Sequence, residues 1–221
     1  MAQRAPQPAT KPARPSNPFR DWVAARRRAI YLASGARRLR HGDCNVETLE
    51  RLRTGWGNQG FSADLGYLSA VLEQAQRADG PVLECGSGLT TIAMALRGVE
   101  VWALEHHIEW RQKVVASLQA VDATARVIHA PLRDYADLTW YSVPPDLPDH
   151  FALVICDGPP GATRGGRAGL WSIPEADFDR VLLDDVDREA ERQLLHSLQS
   201  DGWEVEREGR HALLTHHGDS P

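Results

Sequence analysis

The sequence predicts an α/β fold: a doubly wound, mostly parallel sheet of seven strands, preceded by a helical extension and closed by a C-terminal antiparallel hairpin. Three observations predict it. Apolar β segments and helix-period segments alternate from Val82 to Gln199, an order that lays parallel strands side by side under helices on both faces. The run VLECGSGLTT, Val82–Thr91, passes from a buried strand through a glycine-rich turn into a helix, the arrangement that seats a nucleotide-type cofactor. The closing stretch GWEVEREGRHALLTH holds two β segments around EGR, which adds an antiparallel pair to one sheet edge.

Taken in order, the chain of 221 residues divides into a tail, an extension and a domain. Residues 1–18 are rich in Pro and Ala and poor in large apolar side chains, too little to offset the entropy of ordering. Residues 19–54 form a basic helical extension. Its first helix repeats Trp22, Ala25, Ala29, Leu32, Ala36 and Leu39 beside arginines 26–28, 37, 38 and 40, one apolar stripe next to a cationic one. The first 40 residues carry ten Arg or Lys against the single acid Asp21, although the whole chain is at −5. A stripe of this kind packs on a core, so docking on the body or on a sister subunit, as a homo-oligomer contact, is expected. A nucleic-acid or anionic-membrane arm fits the charge but less well the absence of aromatics within the arginine runs and the acidic body.

A short helix over NVETLERLR ends the extension. Residues 55–221 are the domain, entered through the loop TGWGNQGFSA, with Ser62 as cap for a helix bearing Leu65, Leu68, Leu72 and Ala75 on one face. Strand 82–85, helix 89–97, strand 99–104, helix 107–121, strand 125–129, a long connection, strand 151–156, strand 180–184 and helix 187–199 follow. No run of about 18 apolar residues and no secretory layout occurs, so a soluble, cytoplasmic protein without membrane contact is expected. Cys44, Cys85 and Cys156 have neither metal-ligand nor disulfide-dense spacing. Cys85 and Cys156 end strands expected to be adjacent, so they should meet as buried thiols.

Ligands of open α/β sheets bind beyond the carboxyl ends of the strands, and those ends are acidic: Glu84, Glu105, Asp157, and Asp184 with Asp185. Glu105 suits ribose hydroxyls of any adenosine cofactor. Glu84 lies two residues ahead of the first glycine, where it would repel a pyrophosphate and welcome an ammonium. S-adenosylmethionine carries that ammonium and needs close backbone approach at Gly86 and Gly88.

On ECGSG, VWALEHHIEW, FALVICDGPPG, VLLDDV and the terminal hairpin, residues 55–216 resemble the class I S-adenosylmethionine-dependent methyltransferases. The resemblance implies a Rossmann-like sheet, Glu84 on the methionyl ammonium, Gly86 and Gly88 along the methionine moiety, and Glu105 on ribose. It also implies His106 and the backbone around Ala130 to Leu132 beside adenine. One acid after the fourth strand and an acidic pair after the fifth resemble the metal site of catechol-type and antibiotic-sugar O-methyltransferases. That makes Asp157, Asp184 and Asp185 ligands for Mg²⁺, a hard cation that relieves their repulsion and draws in adjacent hydroxyls of a small-molecule acceptor.

The chain departs from these relatives at DGPPG, where Pro159 and Pro160 stand in place of a lysine or a general base, so Asp157 is the one catalytic candidate at this strand end, with His107 as a guess. The loop 161–174, GATRGGRAGLWSIP, reads as a lid in which Arg164 and Arg167 recognise an anionic group and Trp171 forms an apolar wall. DGPPG also lacks the aromatic of the DNA amino-methyltransferase tetrapeptide, which makes nucleic acid the lesser reading. A non-catalytic cofactor-binding homologue and a nicotinamide oxidoreductase are the remaining alternatives, the latter disfavoured by Glu84 and by Thr91 in the third glycine's place.

Overall fold

The structure is a computed structural model that describes residues 18–57, 63–172, 177–178 and 180–216. Three helices precede the sheet: α1 (Pro18–Arg40), α2 (Val46–Trp56) and α3 (Leu65–Gln76). The core then alternates β1 (Val82–Cys85), α4 (Leu89–Leu96), β2 (Val101–Glu105), α5 (Ile108–Ala120) and β3 (Arg126–His129). The long connection contains an antiparallel hairpin, β4 (Leu132–Tyr135) with β5 (Leu138–Tyr141), and the two-residue strand β6 (His150–Phe151). The chain continues through β7 (Leu153–Cys156), α6 (Gly169–Ser172), β8 (Asp177–Phe178), β9 (Arg180–Leu183), α7 (Glu189–Ser200), β10 (Glu204–Glu208) and β11 (His211–Thr215).

Seven strands make the main sheet in the order β10-β11-β9-β7-β1-β2-β3. β9, β7, β1, β2 and β3 run parallel and the β10–β11 hairpin is antiparallel to them. The fold class expected from the alternation is the one observed. Cys85 is the register partner of Cys156 and both are fully buried free thiols.

The period of two along the strands divides the interior into two cores. Val82, Val101, Ala103, Leu153 and Ile155 face one side, where Leu39, Leu52, Leu68, Ile92 and Val114 of the first five helices cover them. Leu83, Leu104, Val154, Cys156 and Leu183 face the other, against Trp140 of β5 and Leu195 and Leu198 of α7.

The extension is only half docked. Ala36 and Leu39 of the expected stripe are buried and Leu32 packs on the core, whereas residues 18–30, Trp22, Ala25 and Ala29 among them, are exposed. α1 and α2 meet where side chains are missing: a Cβ at Gly55 would stand 2.3 Å from the Leu32 nitrogen, and one at Gly35 would stand 2.9 Å from the Leu52 nitrogen. Asn45 caps α2 by accepting from the Thr48 amide at 2.9 Å, and the helix runs through position 54 to a left-handed stop at Gly57. The expected cap Ser62 lies outside the described residues; Asp64 caps α3, accepting from the Tyr67 amide at 2.8 Å. No described helix is long and apolar enough to cross a membrane.

Candidate cofactor cleft and acceptor site

A cleft of about 890 Å³ opens at the carboxyl ends of β1, β2, β7 and β9. Its floor is the turn after β1. Gly86, at φ +92, is in the left-handed region, and a Cβ there would stand 3.2 Å from the Gly158 amide nitrogen, so glycine serves both turn and packing. Nothing lies within 4 Å of a Cβ at Gly88, which leaves the backbone bare toward the cleft.

Glu105 ties this turn to the end of β2. Its Oε2 accepts from the Ser87 amide at 3.2 Å and the Ser87 hydroxyl at 2.9 Å, while Oε1 accepts from the His107 amide at 2.8 Å. Trp110 closes the same corner by donating its indole N–H to the Ser87 carbonyl at 2.7 Å, with Trp56 edge-on against it at 5.5 Å. Glu105 and His106 both line the cleft.

Glu84 does not face the cleft. It is fully buried, and the hydroxyls of Thr90 and Thr91 in the first turn of α4 hydrogen-bond its two oxygens. Burial pushes its carboxyl up to about 8, against the pull of the two threonines. Strand parity explains the difference: Glu84 shares a face with Val82, under α4, and the chain turns into the cleft only after Cys85. Ala130 and Leu132 are also away from the cleft. Ala130 is fully buried with its amide on the Glu105 carbonyl at 2.8 Å, and Leu132 opens β4. Tyr141 reaches in instead, its buried hydroxyl lacking a hydrogen-bond partner and standing 2.1 Å from where a Cβ on Gly158 would be.

The acidic trio does converge: carboxylate oxygens of Asp157, Asp184 and Asp185 all lie within 4.8 Å of one another. Arginines of this chain pair with two of the three, Asp157 and Asp185, while Asp184 Oδ1 is buried without a hydrogen-bond partner. Arg167, 1% exposed, donates Nη2 to the Asp157 carbonyl at 2.7 Å, Asp157 Oδ1 at 3.2 Å and Asp185 Oδ2 at 3.0 Å, and Nη1 to the Asp184 carbonyl. Arg188 and Arg210 also pair with Asp185. Both Asp185 oxygens are therefore taken by guanidinium groups, and the buried cation of Arg167 lies against the carboxylates of Asp157 and Asp185. The residues do not fit the expected metal. Burial raises Asp157 to about 7, with Arg167 holding it down and the neighbouring acids pushing it up.

The loop after β7 is built differently from a cationic lid. Arg167 is internal rather than acceptor-facing, and Arg164 pairs with Asp134 at 3.2 Å and the Ala136 carbonyl at 3.0 Å. Trp171 packs edge-on against Phe178 and Trp203; positions 173 and 174 lie outside the described residues. His107 is at the rim, 3.1 Å from Glu109. Arg53, Trp56, Ser87, Trp110, Tyr141, Arg188 and Arg210 are cleft residues that sequence reasoning missed. Trp110 stands inside the VWALEHHIEW motif, one helical turn past Glu105, and so carried a readable signal. Tyr141 and Arg210 reach the cleft through tertiary contacts alone.

No protein-family model matches this sequence, and no curated protein matches it. Solved structures do. The SAH-bound methyltransferase PaMTH1 of Podospora anserina aligns over 93% of this chain and 99% of its own, at 14% identity and a TM-score of 0.54. The 16S rRNA N2 G1207 methyltransferase RsmC of T. Thermophilus, solved with AdoMet and guanosine, aligns over 70% of this chain and 43% of its own, at 16% identity and a TM-score of 0.50. With the strand order and the terminal hairpin, these likenesses show that the chain has the fold of the class I S-adenosylmethionine-dependent methyltransferases.

Proposed function

We propose that this protein transfers a methyl group from S-adenosylmethionine to a nucleotide of a nucleic acid. The observation that carries the cofactor is a cleft-lining glycine turn, bare at Gly88, with carboxylates on either side of it, Glu105 and Asp157; in this reading Glu105 serves the ribose and Asp157 faces the acceptor. Asp157 and Gly158 both donate their amides to the Cys85 carbonyl, at 3.2 and 2.7 Å, which sets the Asp157 side chain beside the turn. There it takes the part the sequence suggested for Glu84, favouring a cationic donor over a pyrophosphate. Bound along Gly86, Gly88 and Glu105, S-adenosylmethionine would supply an electrophilic methyl on its sulfonium, and Asp157 is placed to take the acceptor's proton.

The acceptor end suits a planar base beside a phosphate. Arg53, Trp56 and His106 line the cleft, the guanidinium and aromatic chemistry that holds phosphates and stacks bases, and Arg188 and Arg210 reach the same rim while paired with Asp185. RsmC, of the same fold, is a 16S rRNA N2 G1207 methyltransferase solved with AdoMet and guanosine. A small-molecule hydroxyl is the second reading, favoured by an Asp157 carboxyl raised to about 7, where it can accept a hydroxyl proton near neutrality without a metal.

Calorimetric titration with S-adenosylhomocysteine and with NADH tests the cofactor; heat with NADH alone overturns the proposal. Label from methyl-tritiated S-adenosylmethionine is then expected in RNA. Label found only in small hydroxyl compounds replaces the nucleic-acid reading with the second one.

A further inference from the structure

We infer that the groove between the amino-terminal half of α1 and the end of α2 binds single-stranded RNA and leads it to the cleft, an inference that rests on the nucleic-acid reading of the acceptor. The groove holds about 660 Å³ and is lined by Phe19, Arg20, Arg27, Arg28, Tyr31 and Gly57, with no Asp or Glu among the described residues of its wall. Phe19 and Trp22 are exposed to 71% and 57%. The Arg26 guanidinium lies 5.5 Å over Trp22 and that of Arg27 5.5 Å over Tyr31, so flat apolar faces and cations alternate along the helix. Among the described residues no carboxylate forms an ion pair with Arg26, Arg27 or Arg28.

The partner follows from that chemistry. Stacking faces interleaved with guanidinium groups suit unstacked bases on a phosphate backbone, and the groove is too small for a duplex. RNA is the nucleic acid that ordinarily displays such single strands. A second copy meeting this helix face to face would bring the same unneutralised arginines against it.

Position connects the groove to the site. Gly57 closes α2 and lines the groove, while its neighbour Trp56 lines the cleft. A Cβ at Gly57 would stand 2.6 Å from Arg28 Cδ, so the cationic wall continues to the shared rim. A strand lying along α1 therefore reaches the mouth of the cleft at Trp56 and Arg53.

Fluorescence anisotropy of a labelled single-stranded RNA tests this on the full chain, with S-adenosylhomocysteine calorimetry as the control for an intact cleft. Binding should weaken with salt. Arg27→Gln with Arg28→Gln should lower affinity about tenfold and flatten the log–log salt slope by about 1.4, the share of two phosphate contacts. Tyr31→Ala should weaken binding by a comparable factor through lost stacking. Cofactor affinity should stay unchanged in all of them. Wild-type affinity for RNA in these variants overturns the inference, as does capture by anionic vesicles without RNA binding, or a dimer that the substitutions dissociate while RNA binding stays intact. Loss of cofactor binding by the wild type would instead sink the methyltransferase reading and leave the groove standing.

Discussion

Arg167 stands 3.0 Å from Asp185 with its guanidinium 1% exposed, and the same group holds the Asp157 carbonyl at 2.7 Å. One side chain thus joins the ends of β7 and β9 beneath the acceptor region. Removing it strands buried carboxyl and carbonyl groups, so Arg167→Met is expected to cost about 3 kcal/mol or more, read from urea denaturation. Arg167→Lys should recover little, because one ammonium cannot reproduce the fork that spans these partners.

Because arginines hold Asp157 and both oxygens of Asp185, the chain should be indifferent to Mg²⁺. Millimolar Mg²⁺ is expected to leave the melting temperature unchanged, and EDTA to leave S-adenosylhomocysteine affinity unchanged. A Mg²⁺-dependent rise in melting temperature, which a bound ion must produce by mass action, would restore the metal site to Asp157, Asp184 and Asp185.

Much of this architecture was legible in the sequence. The alternation of β and helical segments located the five parallel strands, and the adjacency of Cys85 and Cys156 followed from strand order. Failures arose where a side chain's direction depends on partners distant in sequence. Glu84 closes a strand, as a cofactor acid would, but its parity sends it under α4. Arg167 sits in a glycine-laced loop that reads as a lid over an anionic acceptor, and the acids it meets come from two strand ends. The β4–β5 hairpin escaped because each strand is only four residues long, with LRDY and LTWY lacking a clear alternation. The exposed half of α1 escaped because a 3.6-residue stripe shows that a helix seeks a partner, not whether its own body supplies it.

Glu105 organises the cofactor turn through three donors, the Ser87 amide, the Ser87 hydroxyl and the His107 amide. In Glu105→Gln an amide nitrogen must confront at least one of these donors, which loosens the turn. S-adenosylhomocysteine affinity is expected to fall at least about tenfold, or 1.4 kcal/mol. Ser87→Ala removes one of the three and should cost less. Equal affinity of Glu105→Gln and wild type by calorimetry would separate Glu105 from the cofactor.

Gly158 is held by close neighbours: a Cβ there would meet the Tyr141 hydroxyl at 2.1 Å, the Cys85 carbonyl at 3.1 Å and Gly86 Cα at 3.2 Å. The first contact is the worst and belongs to a side chain. Gly158→Ala is therefore expected to destabilise strongly, and Tyr141→Phe, which removes only an unpartnered hydroxyl, to be mild. Together they should cost less than the sum, with a coupling of about 0.5–3 kcal/mol in a double-mutant cycle. Strict additivity would mean that backbone crowding alone excludes a side chain at 158.

Glu84 gives the protein a pH dependence of definite sign. Its carboxyl has an ordinary value of 4.5 and is pushed up to about 8 by burial in the folded chain, so between those values the native state holds a proton that the unfolded state has lost. Stability from this group is fully present below about 4.5 and is lost as pH rises toward about 8, by up to about 1.4 kcal/mol per pH unit. Glu84→Gln keeps the shape, with a carbonyl to accept from Thr91 and an amide to donate to Thr90, and carries no titrating group. Thermal melts from pH 5 to 8 should then show the variant losing less stability than the wild type. Parallel curves would mean that Glu84 is ionised within the fold, its charge carried by the two threonine hydroxyls and the amino-terminal dipole of α4.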